Sequence, residues 1–127
     1  MILVVDDHAD FRSMVCRLLR AEGFEVCGEC CDGQEAVETA GSLGPRLILL
    51  DIQMPVLNGF EAARQISAHN PHIHICFMSV HEEPTFIHIA KTCGAKGFIA
   101  KRHLSRHLRP AIETLLNGEQ YFPAAVA

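Results

Sequence analysis

The chain has 127 residues, of which 49% are hydrophobic and 20% charged, enough to bury one sizeable core in one domain. That composition excludes a disordered or collagen-like chain. Its formal net charge of −4 argues against a nucleic-acid-binding domain, whose surface is basic; the Lys and Arg residues are spread out and densest at Lys101, Arg102, Arg106 and Arg109.

The first predicted strand is Ile2–Val5. It runs straight into Asp6 and Asp7 with no basic residue before it, so "MILVVDDH" does not read as a secretory leader. Phe11, Met14, Val15, Leu18 and Leu19 follow at i, i+3, i+4, i+7 and i+8, one stripe of a helix. Asp7 and Asp10 suit the start of that helix, Asp7 as a cap. Phe24–Cys31 is the second predicted strand. Ala36–Leu43 carries a weaker helical pattern. Arg46–Leu50 is a nearly continuous apolar strand that ends against Asp51. Phe60–Ile66 is again weakly helical, and Ile73–Ser79 is the fourth strand. Phe86, Ile89, Ala90 and Cys93 repeat the helical spacing before a short fifth strand, Gly97–Ala100. Leu104, Leu108, Ala111, Ile112, Leu115 and Leu116 make the last helical stripe.

Pro110 lies within that stripe, where it removes a hydrogen bond and crowds the carbonyl four residues earlier. Either the helix starts near Arg109, with Pro110 in its first turn, or it kinks there. The stripe ends at Gly118, which predicts a domain over residues 1–118 and a tail or the start of a linker over 119–127. No run approaches the about 18 to 20 apolar residues of a membrane span. These readings together predict a cytoplasmic chain. In that reducing setting the six cysteines (Cys16, Cys27, Cys30, Cys31, Cys76 and Cys93) read as small buried hydrophobes rather than disulfides. Cys27-x-x-Cys30 has no second pair at zinc spacing, so it is a weak metal signal.

Continuous apolar strands alternating with helices predict right-handed βαβ crossovers and a doubly wound α/β domain with a parallel sheet. Sites in such sheets form beyond the carboxyl ends of the strands. Those ends carry Asp6 and Asp7, Asp51, Ser79 and Lys101. If the strand order gathers them, one pocket holds three carboxylates, a hydroxyl and an ammonium. Clustered carboxylates repel unless a cation intervenes, and an all-oxygen donor set suits Mg²⁺. A carboxylate beside such an ion acts as a nucleophile toward phosphorus, with Lys101 and Ser79 holding phosphoryl oxygens. The set reads as phosphoryl transfer onto an aspartate.

"VVDDH", "LLDIQMPVLNG", Ser79 and "GFIAK" lie in order along the chain. Together they resemble the receiver domain of two-component response regulators, the CheY-like family. The resemblance covers essentially the whole chain. It implies a five-stranded parallel sheet in order 2-1-3-4-5 with five helices. It implies that Asp51 accepts a phosphoryl group from a phosphohistidine on a sensor histidine kinase or phosphotransfer protein. It also implies Mg²⁺ bound by Asp7, Asp51 and the backbone carbonyl of Gln53, with Asp6 holding it largely through water. Lys101 and Ser79 would bind phosphoryl oxygens. Phe98 would be an aromatic switch that turns inward as Ser79 moves toward the phosphate. A regulator of this type catalyses only its own phosphorylation and dephosphorylation.

Arg102 follows Lys101 where many receivers have a cis-proline. That variation, with "AIETLLNGEQYFP", is similar to receivers of the NarL/FixJ subfamily, which precede a LuxR-type helix-turn-helix domain absent from this sequence. The implied partners are therefore the kinase, a second copy on phosphorylation, and such an output domain, with no membrane and no nucleic acid bound by this domain itself.

Other readings are less well supported. A flavin-binding domain of the same fold needs a hydroxyl- and Gly-rich phosphate loop, and "DDHADF" offers acids there. An aspartate-nucleophile phosphatase typically has D-x-D, whereas Asp51 is followed by Gln53. A degenerate receiver that takes no phosphate, acting only as a protein-interaction module, conflicts with the full set of acids. His81, two residues past Ser79, is a candidate for tuning attack of water on a phosphoaspartate. The pairs His103 and His107, and His72 and His74, are chance-level metal candidates in a chain with eight histidines.

Overall fold

The structure, a computed structural model, describes residues 1–123. The strands are β1 (Ile2–Val5), β2 (Val26–Cys30), β3 (Leu47–Asp51), β4 (His74–Ser79) and β5 (Gly97–Ala100). The helices are α1 (Ala9–Ala21), α2 (Gly33–Leu43), α3 (Gly59–His69), α4 (Pro84–Thr92) and α5 (Leu104–Leu116), the last preceded by a 3₁₀ turn over Lys101–His103. All strands are parallel in order β2-β1-β3-β4-β5, the expected five-stranded, five-helix architecture of the CheY-like fold.

Adjacent strand residues point to opposite faces, so each apolar strand feeds two cores. Leu3, Val5, Ile48, Leu50, Ile75 and Phe77 face α2, α3 and α4. Ile2, Val4, Leu47, Leu49, Cys76 and Met78 face α1 and α5. This explains why β1 and β3 read as unbroken apolar runs rather than alternating ones. The weakly patterned α2 and α3 are real helices. Their buried stripes rest on Ala36, Ala40, Ala62 and Ala63, small residues that bring the helix close to the sheet but add little to a hydrophobic pattern. Asp32 and Asn58 cap them, accepting from the Glu35 and Glu61 N–H groups at 2.8 and 3.0 Å.

Pro110 sits inside α5, so of the two expectations the later helix start fails. Pro110 and Arg106 are both exposed, which lets water take the Arg106 carbonyl that loses its helical partner. Asp7 does not cap α1; His8 occupies that position and makes no side-chain cap bond. All six cysteines are free thiols, with Cys16, Cys30, Cys76 and Cys93 buried. Burial pushes the Cys30 thiol up to about 11. No described helix is long and apolar enough to cross a membrane.

Candidate functional site

Register alone gathers the predicted residues. Val5 pairs with Leu50, so Asp6 follows β1 beside Asp51 at the end of β3. Asp51 pairs with Met78, and Ser79 with Ala100, which places Ser79 beside the lysine that follows β5. All the strands run the same way, so all these side chains emerge at one sheet edge.

Asp6 is fully buried and Asp51 is 6% exposed. The Lys101 Nζ donates to Asp6 Oδ2 at 2.8 Å and lies 3.4 Å from Asp51 Oδ1. The same ammonium sits 4.4 Å above the Phe11 ring, which gives it a second electron-rich face. Asp51 Oδ1 accepts the Ile52 N–H at 2.8 Å. Among the described residues nothing hydrogen-bonds Asp51 Oδ2. Burial pushes the Asp51 carboxyl up to about 6, aided by the Asp6 charge; Lys101 and the Ile52 N–H pull the other way and do not prevail.

Ser79 is buried, and its Oγ accepts the His81 N–H at 2.9 Å. A cavity of about 60 Å³ opens between these groups, lined by His8, Asp51, Ile52, Gln53, Ser79, Val80, His81 and Lys101. The His81 ring is stacked on Phe86 at 4.7 Å, so it borders the cavity from a fixed position.

One member of the cluster is absent from the sequence-level reading. His8 offers a ring nitrogen 3.4 Å from Asp6 Oδ1 and 3.2 Å from Asp7 Oδ1. Its backbone N–H donates to Asp6 Oδ1 at 2.8 Å, which fixes the turn. Its place directly after the acid pair is the signal that could have found it. Arg12 is a second omission. It donates to the Asp6 carbonyl at 2.6 Å and to Glu29 at 3.0 Å, tying α1 to the end of β1.

Asp6, Asp7, His8 and Asp51 each offer a ligand atom, all within 4.8 Å of one another. A donor set dominated by carboxylate oxygen fits a hard divalent cation, and Lys101 already marks the spot as one that favours positive charge. His103 and His107 do not form such a cluster. Their rings are 6.2 Å apart, and the His107 Nδ1 instead shares a 2.6 Å hydrogen bond with the Tyr121 hydroxyl. His72 and His74 join no such group among the described residues.

The loop after Asp51 is tightly wound. Gly59 N–H donates to the Ile52 carbonyl at 2.7 Å, and Leu57 N–H to the Pro55 carbonyl at 2.7 Å. The second bond closes a γ-turn on Val56, whose φ of 68° puts a β-branched, 80% exposed residue in the left-handed region. A Cβ at Gly59 would run into the Asp51 carbonyl oxygen, so only glycine lets α3 start this close to β3.

Comparison with known proteins agrees with this geometry. Residues 2–113 match the family model described as the response regulator receiver domain. The transcriptional regulatory protein DegU of Brevibacillus brevis is 36% identical over 122 residues, 94% of this chain and 51% of its own. The chain thus spans about half the length of that relative. A LuxR-family two-component response regulator from Aurantimonas sp. SI85-9A1 superposes with a TM-score of 0.90 at 30% identity, covering 94% of this chain and 86% of that one. The receiver domain of NarL from Mycobacterium tuberculosis gives 0.88 at 31% identity, over 93% and 96%. With its strand order, its acid cluster and these matches, the chain belongs to the family of response regulator receiver domains.

Proposed function

We propose that Asp51 is the phosphoacceptor of this receiver, and that its phosphorylation switches the domain between two conformations. The observation that carries this is the Asp51 carboxylate itself. It is nearly buried, beside one ammonium and another acid, with one oxygen free of hydrogen bonds among the described residues, at the end of a small cavity. In the transfer, an Asp51 oxygen bonds to phosphorus while the bond from phosphorus to the donor's imidazole nitrogen breaks, its electron pair leaving on that ring. The donor is a phosphohistidine on a sensor kinase or phosphotransfer protein.

Lys101 stabilises charge on the transferring oxygens as a point cation, and the buried Ser79 hydroxyl donates to another. Asp7, Asp51 and the Gln53 carbonyl would hold Mg²⁺, with Asp6 acting through water. When bound, the ion would neutralise charge on the phosphoryl group. His81 borders the cavity and would govern access of water to the phosphoaspartate. The chain would thus act on itself, in phosphorylation and dephosphorylation, rather than turn over a separate substrate.

Phe98 packs within the core on the α4 side at 1% exposure, so its ring is already inward. We assign it the switch role, with the inward ring belonging to the phosphorylated state. The face formed by α4, β5 and α5 would then meet a second copy or a helix-turn-helix output domain acting in transcription, in the cytoplasm. The degenerate alternative is disfavoured because no acid or cation of the site is missing.

Incubation with acetyl phosphate and Mg²⁺, read by intact mass, tests the reading. The wild type should gain one phosphoryl group and Asp51→Asn none. No gain in either would sink the assignment.

A further inference from the structure

The chain does not leave the domain at the end of α5. Gly118, at φ 84°, turns it back, and Tyr121 then lies parallel to the outer edge of β5, paired with Gly97. Tyr121 N–H donates to the Lys96 carbonyl at 2.8 Å, and Phe98 N–H donates to the Tyr121 carbonyl at 2.9 Å. These bonds cover part of an edge that β5 would otherwise leave open. At this single bridge the backbone is extended, and consecutive residues point to opposite faces. Tyr121 packs on the α1–α5 core, where burial raises its phenol, and its hydroxyl shares a hydrogen bond with the His107 ring. Phe122 packs on the other core, the one that holds Phe98, and the Lys91 ammonium sits 4.7 Å above its ring. The segment is therefore a strap pinned to α5, to β5 and to α4. A cavity of about 280 Å³ beside it, lined by Phe98, His103, His107, Tyr121 and Phe122 among others, leaves room for the strap and the ring to repack.

We propose that the outer edge of β5, with the groove between α4 and α5, is a docking surface for the chain's own segment Glu119–Pro123, and that docking of this strap and phosphorylation of Asp51 favour one another through Phe98. The proposal rests on the reading of Asp51 and Phe98 given above. The strap holds the Phe98 main chain by a direct hydrogen bond and its side chain through the core shared with Phe122. Whatever favours the inward Phe98 therefore favours the docked strap. Coupling of this kind is reciprocal: the docked strap must strengthen the phosphorylated state by the same factor.

Tyr121 is the one tyrosine and the chain has no tryptophan, so tyrosine fluorescence of the full chain reports this segment alone. Iodide quenching and hydrogen exchange would be measured before and after acetyl phosphate with Mg²⁺, with intact mass taken in parallel. Phosphorylation should make Tyr121 harder to quench and slow exchange of the Phe98 amide by about tenfold. Phe122→Ala should raise quenching in both states and weaken binding of beryllofluoride by about five- to tenfold. It should leave binding of Mg²⁺ alone unchanged. Uptake of the phosphoryl group with unchanged quenching and unchanged Phe98 exchange overturns the proposal, as does a strap that becomes more accessible. No uptake at all overturns the Asp51 reading, and the coupling with it, by a different observable. If Phe122→Ala fails to fold by circular dichroism, the wild-type quenching and exchange decide alone.

Discussion

Replacing Asp51 by Asn should stabilise the protein, and by an amount that depends on pH. Burial lifts the Asp51 carboxyl from 3.8 to about 6. An acid whose value is raised on folding binds its proton more tightly in the native state than in the unfolded one. Stability therefore falls as pH climbs from about 4 to about 6, and stays at the lower level above that. At 1.36 kcal/mol per unit, a rise from 3.8 to about 6 is worth about 3 kcal/mol near neutral pH. Asn keeps the shape and cannot ionise. The two proteins should thus unfold alike near pH 4, apart from a constant offset, and diverge by up to about 3 kcal/mol by pH 7. Urea unfolding without divalent cations, at closely spaced pH values, measures this, with equal slopes confirming a common unfolded state. A gap that stays constant with pH, or a wild type that wins at neutral pH, would refute the charge-burial argument. Mg²⁺ should narrow the gap, because ligands of the native state stabilise it by mass action and Asp51→Asn lacks a carboxylate for the ion.

Lys101→Ala leaves two buried carboxylates without their ammonium and should cost about 3–5 kcal/mol in the same unfolding assay, part of it recovered on adding Mg²⁺. Gly59→Ala should cost at least about 2 kcal/mol and slow phosphoryl uptake, since its Cβ can be admitted only by moving the Asp51 main chain. Val56→Gly should raise stability by about 1 kcal/mol by releasing the left-handed γ-turn, with mass-detected uptake preserved. His81→Ala should shorten the life of the phosphorylated form by opening the cavity wall, followed by intact mass after removal of the donor; an unchanged decay would remove His81 from any role in governing access of water.

The sheet and the residues at its carboxyl edge could be read from the chain because both depend on short-range patterns. A strand buried on both faces is an apolar run wherever it occurs, and a polar residue that ends such a run is conspicuous. Asp51 after "LILL" is visible for that reason, as is Lys101 after "GFIA". The alanine-faced α2 and α3 are fainter, because a close-packed helix buries small side chains that make a weak hydrophobic stripe. Pro110 left two outcomes open that only its exposure decides. The strap leaves no mark in the sequence for a different reason. Its pairing joins Tyr121 to Lys96 and Phe98 across the whole of α5, and "NGEQYFP" has neither strand length nor alternation. His8 carries no signal of its own, because an exposed histidine gains meaning only from the carboxylates around it.

The acid cluster is short of positive charge by construction. Among the described residues Asp6, Asp7 and Asp51 share one ammonium between them, and Lys101 pairs with Asp6 and Asp51, closer to the former. The ammonium satisfies the fully buried acid and leaves Asp51 half-compensated, which is why burial prevails over Lys101 there. A cation entering beside Asp7 would supply what Lys101 cannot, without displacing it from Asp6. A phosphoryl group on Asp51 would then bring new negative charge within reach of the same ammonium, and the Lys101 pairing with Asp6 would have to be shared. The instability stored at Asp51 and the readiness of the site to take a cation and a phosphoryl group are thus one electrostatic property. A substitution that supplies a fixed positive charge near Asp7 should raise stability and, by the same argument, weaken binding of Mg²⁺.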